Sequence, residues 1–250
     1  MADKSSIEWT EATWNPTTGC DRISPGCDNC YALTLAKRLK AMGNPKYQLD
    51  GNSRTSGPGF GITAHERALD IPTRWRAPRT VFVNSMSDLF HAKVPASFIR
   101  DVFDVIESTP QHTYQLLTKR PIRAVRMADS LPWPNNLWMG VSVETQEQAW
   151  RTDRLRELPA LTRFVSAEPL LGRIELNLDA IQWVIVGGES GPAHRPVDAE
   201  WITAIRDQCV ASDTAFFFKQ WGGFTPKAGG RELDGRTWDE MPTLAMTGPG

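Results

Sequence analysis

Six short apolar segments recur along the chain from residue 80 onwards, with starts 19 to 34 residues apart. They begin at Thr80, Thr113, Asn136, Thr162, Ile181 and Ala215. Between them, residues 95–108, 120–129, 145–158 and 198–211 have the composition of helices. In the first of these, Phe98, Val102 and Ile106 recur at the spacing of a helix with one buried face. Earlier in the chain, residues 7–14 predict a strand, and residues 31–42 predict a helix that ends at a Gly-Asn-Pro turn.

Strands that alternate with helices at this spacing predict parallel βα units, because a parallel neighbour needs a crossover of about a dozen residues or more. Six such strands and the one near the N-terminus approach the eight of a (β/α)8 barrel, and 250 residues is a typical length for that fold. We therefore predict an α/β fold, a TIM-like (β/α)-barrel that is either complete or lacks a strand. An open doubly wound sheet is the alternative, but no G-x-G-x-x-G turn follows the first strand.

The whole chain, residues 1–250, is predicted to form a single barrel domain. Residues 43–79 are poorly patterned and rich in Gly, Pro, Ser and Arg, so we expect an insertion or lid there, with a short helix near residues 65–69. Residues 233–242 are expected to form a closing hairpin or flap, and residues 243–250 a frayed tail.

Each apolar segment ends in polar, charged or glycine residues. In a parallel barrel these carboxyl ends meet at one rim, where active sites are built. Any strand turns polar where it reaches water, but six in succession favour a functional site over that simpler explanation. The candidate residues in chain order are Asn84, Ser85, Asp88, Thr118, Lys119, Arg120, Ser142, Glu144, Ser166, Glu168, Glu189, Ser190, Lys219 and Gln220. Gly187 and Gly188 would let the backbone approach a ligand closely.

Composition narrows the class of protein. Apolar residues make up 40% of the chain and 28 basic residues nearly balance 29 acidic ones, which excludes intrinsic disorder and argues against a non-specific nucleic-acid coat protein. A local basic groove stays compatible with this balance. The apolar runs are far shorter than the ~18–20 residues that cross a bilayer. No secretory signal opens the chain, so we expect a cytoplasmic protein without membrane contact.

Three of the four cysteines lie within eleven residues, as Cys20, Cys27 and Cys30 in a C-x6-C-x2-C pattern, while Cys209 stands alone. Clustered thiols in a reducing compartment are more often metal ligands than disulfides. Three thiolates can hold three corners of a cubane iron–sulfur cluster. A structural zinc site needs four ligands, and the fourth would have to come from a distant histidine or from Cys209. The spacing of the three cysteines favours an iron–sulfur cluster, and a structural zinc site stays an alternative. Cys209 is predicted to be a small buried hydrophobic residue within a helix.

The cysteine segment on a βα barrel resembles the radical S-adenosylmethionine enzymes. The chain more widely resembles a little-characterised phage and prophage family with a three-cysteine motif, over about residues 7–242. The shared motifs are IEWT at 7–10, TWNP at 13–16, VNSMSDLF at 83–90, LTKRP at 117–121, GVSVE at 140–144, SAEPL at 166–170, VGGESG at 186–191 and FKQWG at 218–222. The radical enzymes mostly space their cysteines as C-x3-C-x2-C, and their Gly-Gly-Glu element follows an early strand, whereas here it follows a late one.

This resemblance implies a [4Fe-4S] cluster on Cys20, Cys27 and Cys30, with S-adenosyl-L-methionine bound at its open iron. From their positions at the strand ends, Glu144, Glu168 and Lys219 are the candidate catalytic residues. The candidate cofactor-binding residues, from the same strand ends, are Asn84, Ser85, Asp88, Thr118, Lys119, Ser142, Ser166, Gly187, Gly188 and Glu189. The phage-type family and the basic residues at the strand ends suggest a nucleotide or nucleic-acid substrate.

Two other functions stay open at this point. A barrel hydrolase could use strand-end carboxylates as an acid–base pair, with the cysteines holding structural zinc. Alternatively, a domain stabilised by structural zinc could bind nucleic acid without catalysis. Its contacts would come from Lys119, Arg120, Arg195 and Lys219.

Overall fold

The computed structural model of the protein describes residues 5–242. The tail expected to fray, residues 243–250, lies outside this range. Within it the chain forms eleven strands and five α-helices. The strands are β1 (Ala12–Trp14), β2 (Thr17–Thr18), β3 (Thr63–Ala64), β4 (Thr80–Val83), β5 (Thr113–Thr118), β6 (Leu137–Ser142), β7 (Thr162–Ala167), β8 (Trp183–Gly187), β9 (Ala215–Gln220), β10 (Glu232–Leu233) and β11 (Arg236–Thr237). The helices are α1 (Tyr31–Ala41), α2 (Ala96–Ser108), α3 (Pro121–Met127), α4 (Trp150–Arg156) and α5 (Ala199–Ala211).

Seven strands form one sheet in the order β1-β4-β5-β6-β7-β8-β9, and every neighbouring pair is parallel. Because each strand joins the edge left by its predecessor, the strand order never reverses, as it would in a doubly wound sheet. Among the described residues no pairing joins β1 to β9, so the sheet is an open half-barrel. The prediction of a partial (β/α)-barrel is confirmed.

The first strand is shorter than predicted, because residues 7–10 form a turn and only Ala12–Trp14 joins the sheet. The turn places Trp9 against the sheet, with its ring 4.8 Å from Phe82 and 6.1 Å from Trp183. Trp9 therefore contacts strands from both halves of the sheet. Residues 7–10 thus pack on the sheet through Trp9 and do not extend β1.

The two faces of the sheet bury different side chains. One face packs on the helices, for example on Phe98, Ile99 and Val102 of α2. The other face carries an aromatic cluster with Trp183 at its centre. The ring of Trp183 lies 5.6–6.1 Å from four others, those of Trp9, Trp138, Phe164 and Phe217. Because the helices of a βα barrel lie outside, this cluster fills the concave face.

Side chains on the concave face change from aromatic to small to charged towards the carboxyl ends of the strands. Successive side chains of a strand alternate between faces, so every second residue shares this one. On β6 and beyond, Trp138 is followed by Gly140, Ser142 and Glu144; on β7, Phe164 is followed by Ser166 and Glu168. Gly187 follows Ile185 on β8, and Lys219 follows Phe217 on β9. The predicted site residues thus surround the mouth of the half-barrel, above an aromatic floor.

Residues 43–79 fold beside this mouth as 3-10 turns and strand β3, which pairs antiparallel with β2 from the earlier part of the chain. Tyr47 and Phe60 of this segment pack with Ala32 and Ala36 of α1. The short helix expected near residues 65–69 is a 3-10 turn, Glu66–Ala68. Strands β10 and β11 form a hairpin. In residues 5–242, no helix has both the length and the apolar character that crossing a membrane requires.

Candidate functional site

The three clustered cysteines lie on residues 19–30, which we call the cysteine loop. It begins at Gly19, where φ is +88° and an added Cβ would lie 2.2 Å from the carbonyl oxygen of Gly61, so only glycine fits. A 3-10 turn, Pro25–Cys27, then bends the chain, and the Cys30 amide donates to the Cys27 carbonyl oxygen at 3.3 Å. These local bonds fold Cys27 and Cys30 onto one compact turn.

The three thiols share one environment. Cys27 is buried, and Cys20 and Cys30 are half-buried. Burial is the main cause that raises the pKa of Cys20 to about 12, and charge on Asp88 and Cys27 adds to it. Burial and the neighbouring Cys27 also raise the pKa of Cys30. Within residues 5–242, no group of three or more His, Cys, Asp or Glu side chains is set at metal-binding distances.

The cysteine loop carries three thiols and no histidine. The four histidines lie elsewhere in the chain, where His65 bonds to Thr18, His91 to Asp21, His112 to the Pro72 carbonyl and His194 to the Gly191 carbonyl. Cys209 is fully buried in α5, as predicted. The donor set at the loop is therefore three thiols, which fits three corners of a cubane cluster with one open metal.

Side chains from the strand ends hold the cysteine loop in place. Ser24 donates to Glu144 at 2.8 Å, and Asn29 donates to Glu189 at 2.9 Å. The Arg120 guanidinium donates to the Asp21 carbonyl oxygen at 2.9 Å and lies 3.5 Å from the Cys20 sulfur. Residues that follow β5, β6 and β8 thus all contact the loop. The structure brings these predicted site residues together around the three cysteines.

Glu144 lies at the centre of a buried charge network. Its side chain is fully buried, accepts from Arg151 at 2.9 Å and pairs with Lys119. Burial alone would raise the pKa of Glu144, but Lys119, Arg151 and the Ser24 hydrogen bond outweigh it and hold the pKa below its ordinary value. Arg151 also donates to the Ser142 carbonyl oxygen at 2.7 Å. Sequence reasoning missed Arg151, because a basic residue within a polar helix gives no sign that it is buried.

Asp88 and Asn84 organise the neighbouring loops. Asp88 accepts from the Thr118 hydroxyl at 2.7 Å, from the Lys119 amide at 3.0 Å and from Arg120 at 3.0 Å. Asn84 has a left-handed backbone, with φ of 63°, and its side-chain oxygen accepts from the Thr17 amide at 3.2 Å. Ser85 lies beside them and accepts a hydrogen bond from the hydroxyl of Tyr31 through its carbonyl oxygen. Asp88 and Asn84, each nearly fully buried, use their side chains to hold backbone in place.

Glu168 and Lys219 form an ion pair that solvent can reach. The two charged groups are 2.9 Å apart, and their side chains are 15% and 22% exposed. The pair spans β8 at Gly187, where an added Cβ would lie 2.8 Å from the Glu168 carboxylate. Ser166 donates to the other carboxylate oxygen at 3.1 Å. The lack of a side chain at Gly187 therefore leaves space for the Glu168–Lys219 ion pair at the mouth.

Gly188 and Glu189, the two residues that follow Gly187, each contact another segment of the chain. An added Cβ at Gly188 would lie 2.0 Å from the Trp221 carbonyl oxygen, so this glycine permits close backbone packing on the segment after β9. Glu189 accepts from the Arg195 side chain at 2.6 and 2.9 Å and from its amide at 2.8 Å. Burial alone would raise the pKa of Glu189, but the hydrogen bonds from Arg195 and Asn29 lower it overall.

Two solved structures of spore photoproduct lyase are similar to this chain. One is a cysteine-to-alanine mutant with dinucleoside spore photoproduct, at 12% identity and a TM-score of 0.48. The other is spore photoproduct lyase complexed with dinucleoside spore photoproduct, at 10% identity and a TM-score of 0.47. Each match covers 82% of this chain but 62% of the lyase chain, so the protein spans less than two thirds of those chains.

No curated protein matches the sequence. A protein-family profile described as "Protein of unknown function (DUF5131)" matches residues 4–242. Because this match spans nearly the whole sequence, the chain belongs to the DUF5131 family.

Proposed function

We propose that the protein is an iron–sulfur enzyme of the radical S-adenosylmethionine type. In this proposal Cys20, Cys27 and Cys30 hold a [4Fe-4S] cluster, S-adenosyl-L-methionine binds at its open iron, and the substrate is a nucleotide or nucleic acid. The observation that carries the proposal is the position of the cysteine loop, which contacts the residues after β5, β6 and β8 through Arg120, Glu144 and Glu189.

When bound, the cluster and S-adenosyl-L-methionine supply one-electron cleavage of a sulfonium carbon–sulfur bond. The chain itself must bind and orient the cofactor and the substrate and exclude water from the site. The buried Glu144 network fixes the cysteine loop against the sheet. Below the mouth, the aromatic floor around Trp183 closes the site from the other end of the half-barrel.

The Glu168–Lys219 pair is the group that we assign to ligand binding. Its partners are partly exposed and lie above Ser166 and Gly187, on the same face as the aromatic floor. An incoming amine or hydroxyl can replace Lys219 as the partner of Glu168. A carboxylate or phosphate can equally replace Glu168 as the partner of Lys219. One pair can therefore receive a ligand that carries both kinds of group.

The hydrolase alternative has less support. A carboxylate-based hydrolase needs one carboxyl group that stays protonated to act as the general acid, and such a group has a raised pKa. Basic partners instead lower the pKa of Glu144 and of Glu189. Both groups are held as structural anions, and neither suits the acid role.

Anaerobic reconstitution with iron and sulfide tests the proposal. The wild-type protein should bind about four iron atoms per chain, and Cys27→Ala should lose them. Cys209→Ala is the matched control, because this fully buried thiol lies in α5, outside the loop, and its variant should keep the iron. Release of 5′-deoxyadenosine after addition of S-adenosyl-L-methionine and reductant should follow the iron content. Equal iron loss in both variants, or one zinc per chain in place of iron, would refute the assignment.

A further inference from the structure

Residues 20–62 are the basic part of the chain. They contain six Lys and Arg, three Asp and no Glu, a net charge of +3, whereas the whole protein carries −1 and the remainder therefore −4. The segment comprises most of the cysteine loop, helix α1 and the first part of the insertion, and these parts contact one another. The Arg22 amide donates to the Thr55 carbonyl oxygen at 3.0 Å, and Tyr47 and Phe60 pack with α1. The positive charge is thus carried by one continuous unit beside the mouth.

Four exposed basic side chains of this unit have no acidic partner. Arg22, Lys37, Arg38 and Arg54 form no ion pair with any residue of the described range, 5–242. We call these four residues the basic surface. By contrast, Lys119, Arg195 and Lys219 at the mouth are each paired with a glutamate. A paired cation largely cancels its own field, whereas the basic surface keeps its positive potential for a partner.

Exposed aromatic and apolar side chains lie among these cations. Tyr31 follows Cys30 directly and is 55% exposed, while its hydroxyl reaches the Ser85 carbonyl at the end of β4. Leu35 and Arg38 follow Tyr31 at i+4 and i+7, which places them on the same helix face. Cations that follow a phosphate backbone, with an aromatic ring on which a base can stack, form the usual surface for single-stranded nucleic acid.

We infer that the basic surface binds the backbone of a single-stranded polynucleotide and directs it past Tyr31 to the mouth of the half-barrel. The inference rests on the proposed function for the reaction at the mouth, but the binding itself needs no cluster. An anionic membrane is the other polyanion that basic helices attract. The surface suits it less, because Arg38 interrupts the exposed apolar side chains of α1, and Arg22 and Arg54 lie on loops.

Fluorescence anisotropy of the metal-free protein with labelled 20-nucleotide dT and rU probes tests the inference. Four phosphate contacts predict that the logarithm of the association constant falls against the logarithm of salt with a slope of about −3, or roughly 50-fold in affinity between 50 and 200 mM salt. Neutralising the basic surface with Arg22→Ser, Lys37→Ser, Arg38→Ser and Arg54→Ser together should weaken binding at least ~10-fold at the lower salt and bring the slope close to zero.

A matched control carries the same change of charge elsewhere. Arg76, Arg100, Arg126 and Arg173 are also exposed and lie before β4, on α2, on α3 and after β7. Replacing all four with serine should leave affinity and slope near the wild-type values. Equal losses in both quadruple variants would overturn the inference, as would wild-type binding to phosphatidylserine vesicles but not to either probe. Reconstitution with iron and sulfide separates the two proposals: a protein that binds the probe but takes up no iron on reconstitution refutes only the proposed function, and one that takes up iron but does not bind the probe refutes only this inference.

Discussion

Gly26 provides a sharp test of the contact between the cysteine loop and Glu144. In Gly26→Ala the new Cβ would lie 2.4 Å from Cγ, 2.7 Å from Oε1 and 2.9 Å from Cδ of Glu144. Ordinary contact begins at 3.4 Å, so the two groups must separate by about 1 Å. Glu144 cannot give way easily, because it is fully buried and held by Lys119 and Arg151. The cysteine loop is therefore the part that moves.

Movement of the loop affects both stability and metal binding. Overpacking of this kind costs about 1–3 kcal/mol, and for a chain of this size each kcal/mol lowers Tm by about 2–4 °C. Separation by 1 Å also breaks the Ser24–Glu144 hydrogen bond of 2.8 Å and displaces the adjacent Cys27. Metal–ligand distances tolerate only about 0.2 Å. We therefore expect Gly26→Ala to lose most of its iron while it keeps its fold.

Iron per chain after anaerobic reconstitution and Tm by differential scanning calorimetry check this prediction. Gly172→Ala is the control, because an added Cβ there meets nothing within 4 Å. Its iron content and Tm should match those of the wild-type protein. If Gly26→Ala keeps full iron and an unchanged Tm, the loop does not rest on Glu144 and the proposed geometry of the site is refuted.

Three further predictions address the cysteine loop, the Glu144 charge network and the aromatic cluster around Trp183. Arg120→Gln removes a charged donor 3.5 Å from the Cys20 sulfur, so the midpoint potential of the reconstituted cluster should fall in a potentiometric titration; an unchanged potential would contradict this role. Burial raises the pKa of Glu144, but Lys119 and Arg151 lower it overall. Its carboxylate therefore stabilises the fold at pH values above the pKa of the unfolded state, and this contribution is lost as pH falls through the lower pKa of the folded state. Urea unfolding from about pH 6 to about pH 3 should therefore show a decline that is smaller in Glu144→Gln; equal declines would contradict it. Trp183→Ala should lower the free energy of unfolding by about 3–5 kcal/mol, and a loss below about 1 kcal/mol would show that the floor is not tightly packed.

The sequence predicts the sheet well where strands are buried on both faces. The strand expected from Thr113 is β5, Thr113–Thr118, and the one expected from Ala215 is β9, Ala215–Gln220. Such strands stand out because they are short apolar runs bounded by polar residues. Whether the barrel closes could not be predicted, since closure depends on whether β1 and β9 pair across space.

The position of the candidate site was predictable, but its internal pairing was not. Parallel strands place their carboxyl ends together, so the rim residues follow from strand order alone. Which glutamate pairs with which cation depends on side-chain reach across neighbouring loops. Glu144 takes one partner from after β5 and another, Arg151, from α4. The hydrogen bond between His91 and Asp21, 70 residues apart, leaves no local signal in the chain.

The charged residues at the mouth divide into two groups by burial, and this division determines where a ligand can enter. Asp88, Glu144 and Glu189 are nearly or fully buried and already hold a basic partner. Breaking a buried pair leaves an uncompensated charge and costs about 3–5 kcal/mol, so a ligand has little to gain there. A pair that solvent can reach costs less to separate, because water screens its charges and a ligand's own charges can replace either partner. Glu168 and Lys219 form such a pair at the mouth, and ligand selectivity should therefore depend on them more than on the carboxylates that hold the cysteine loop.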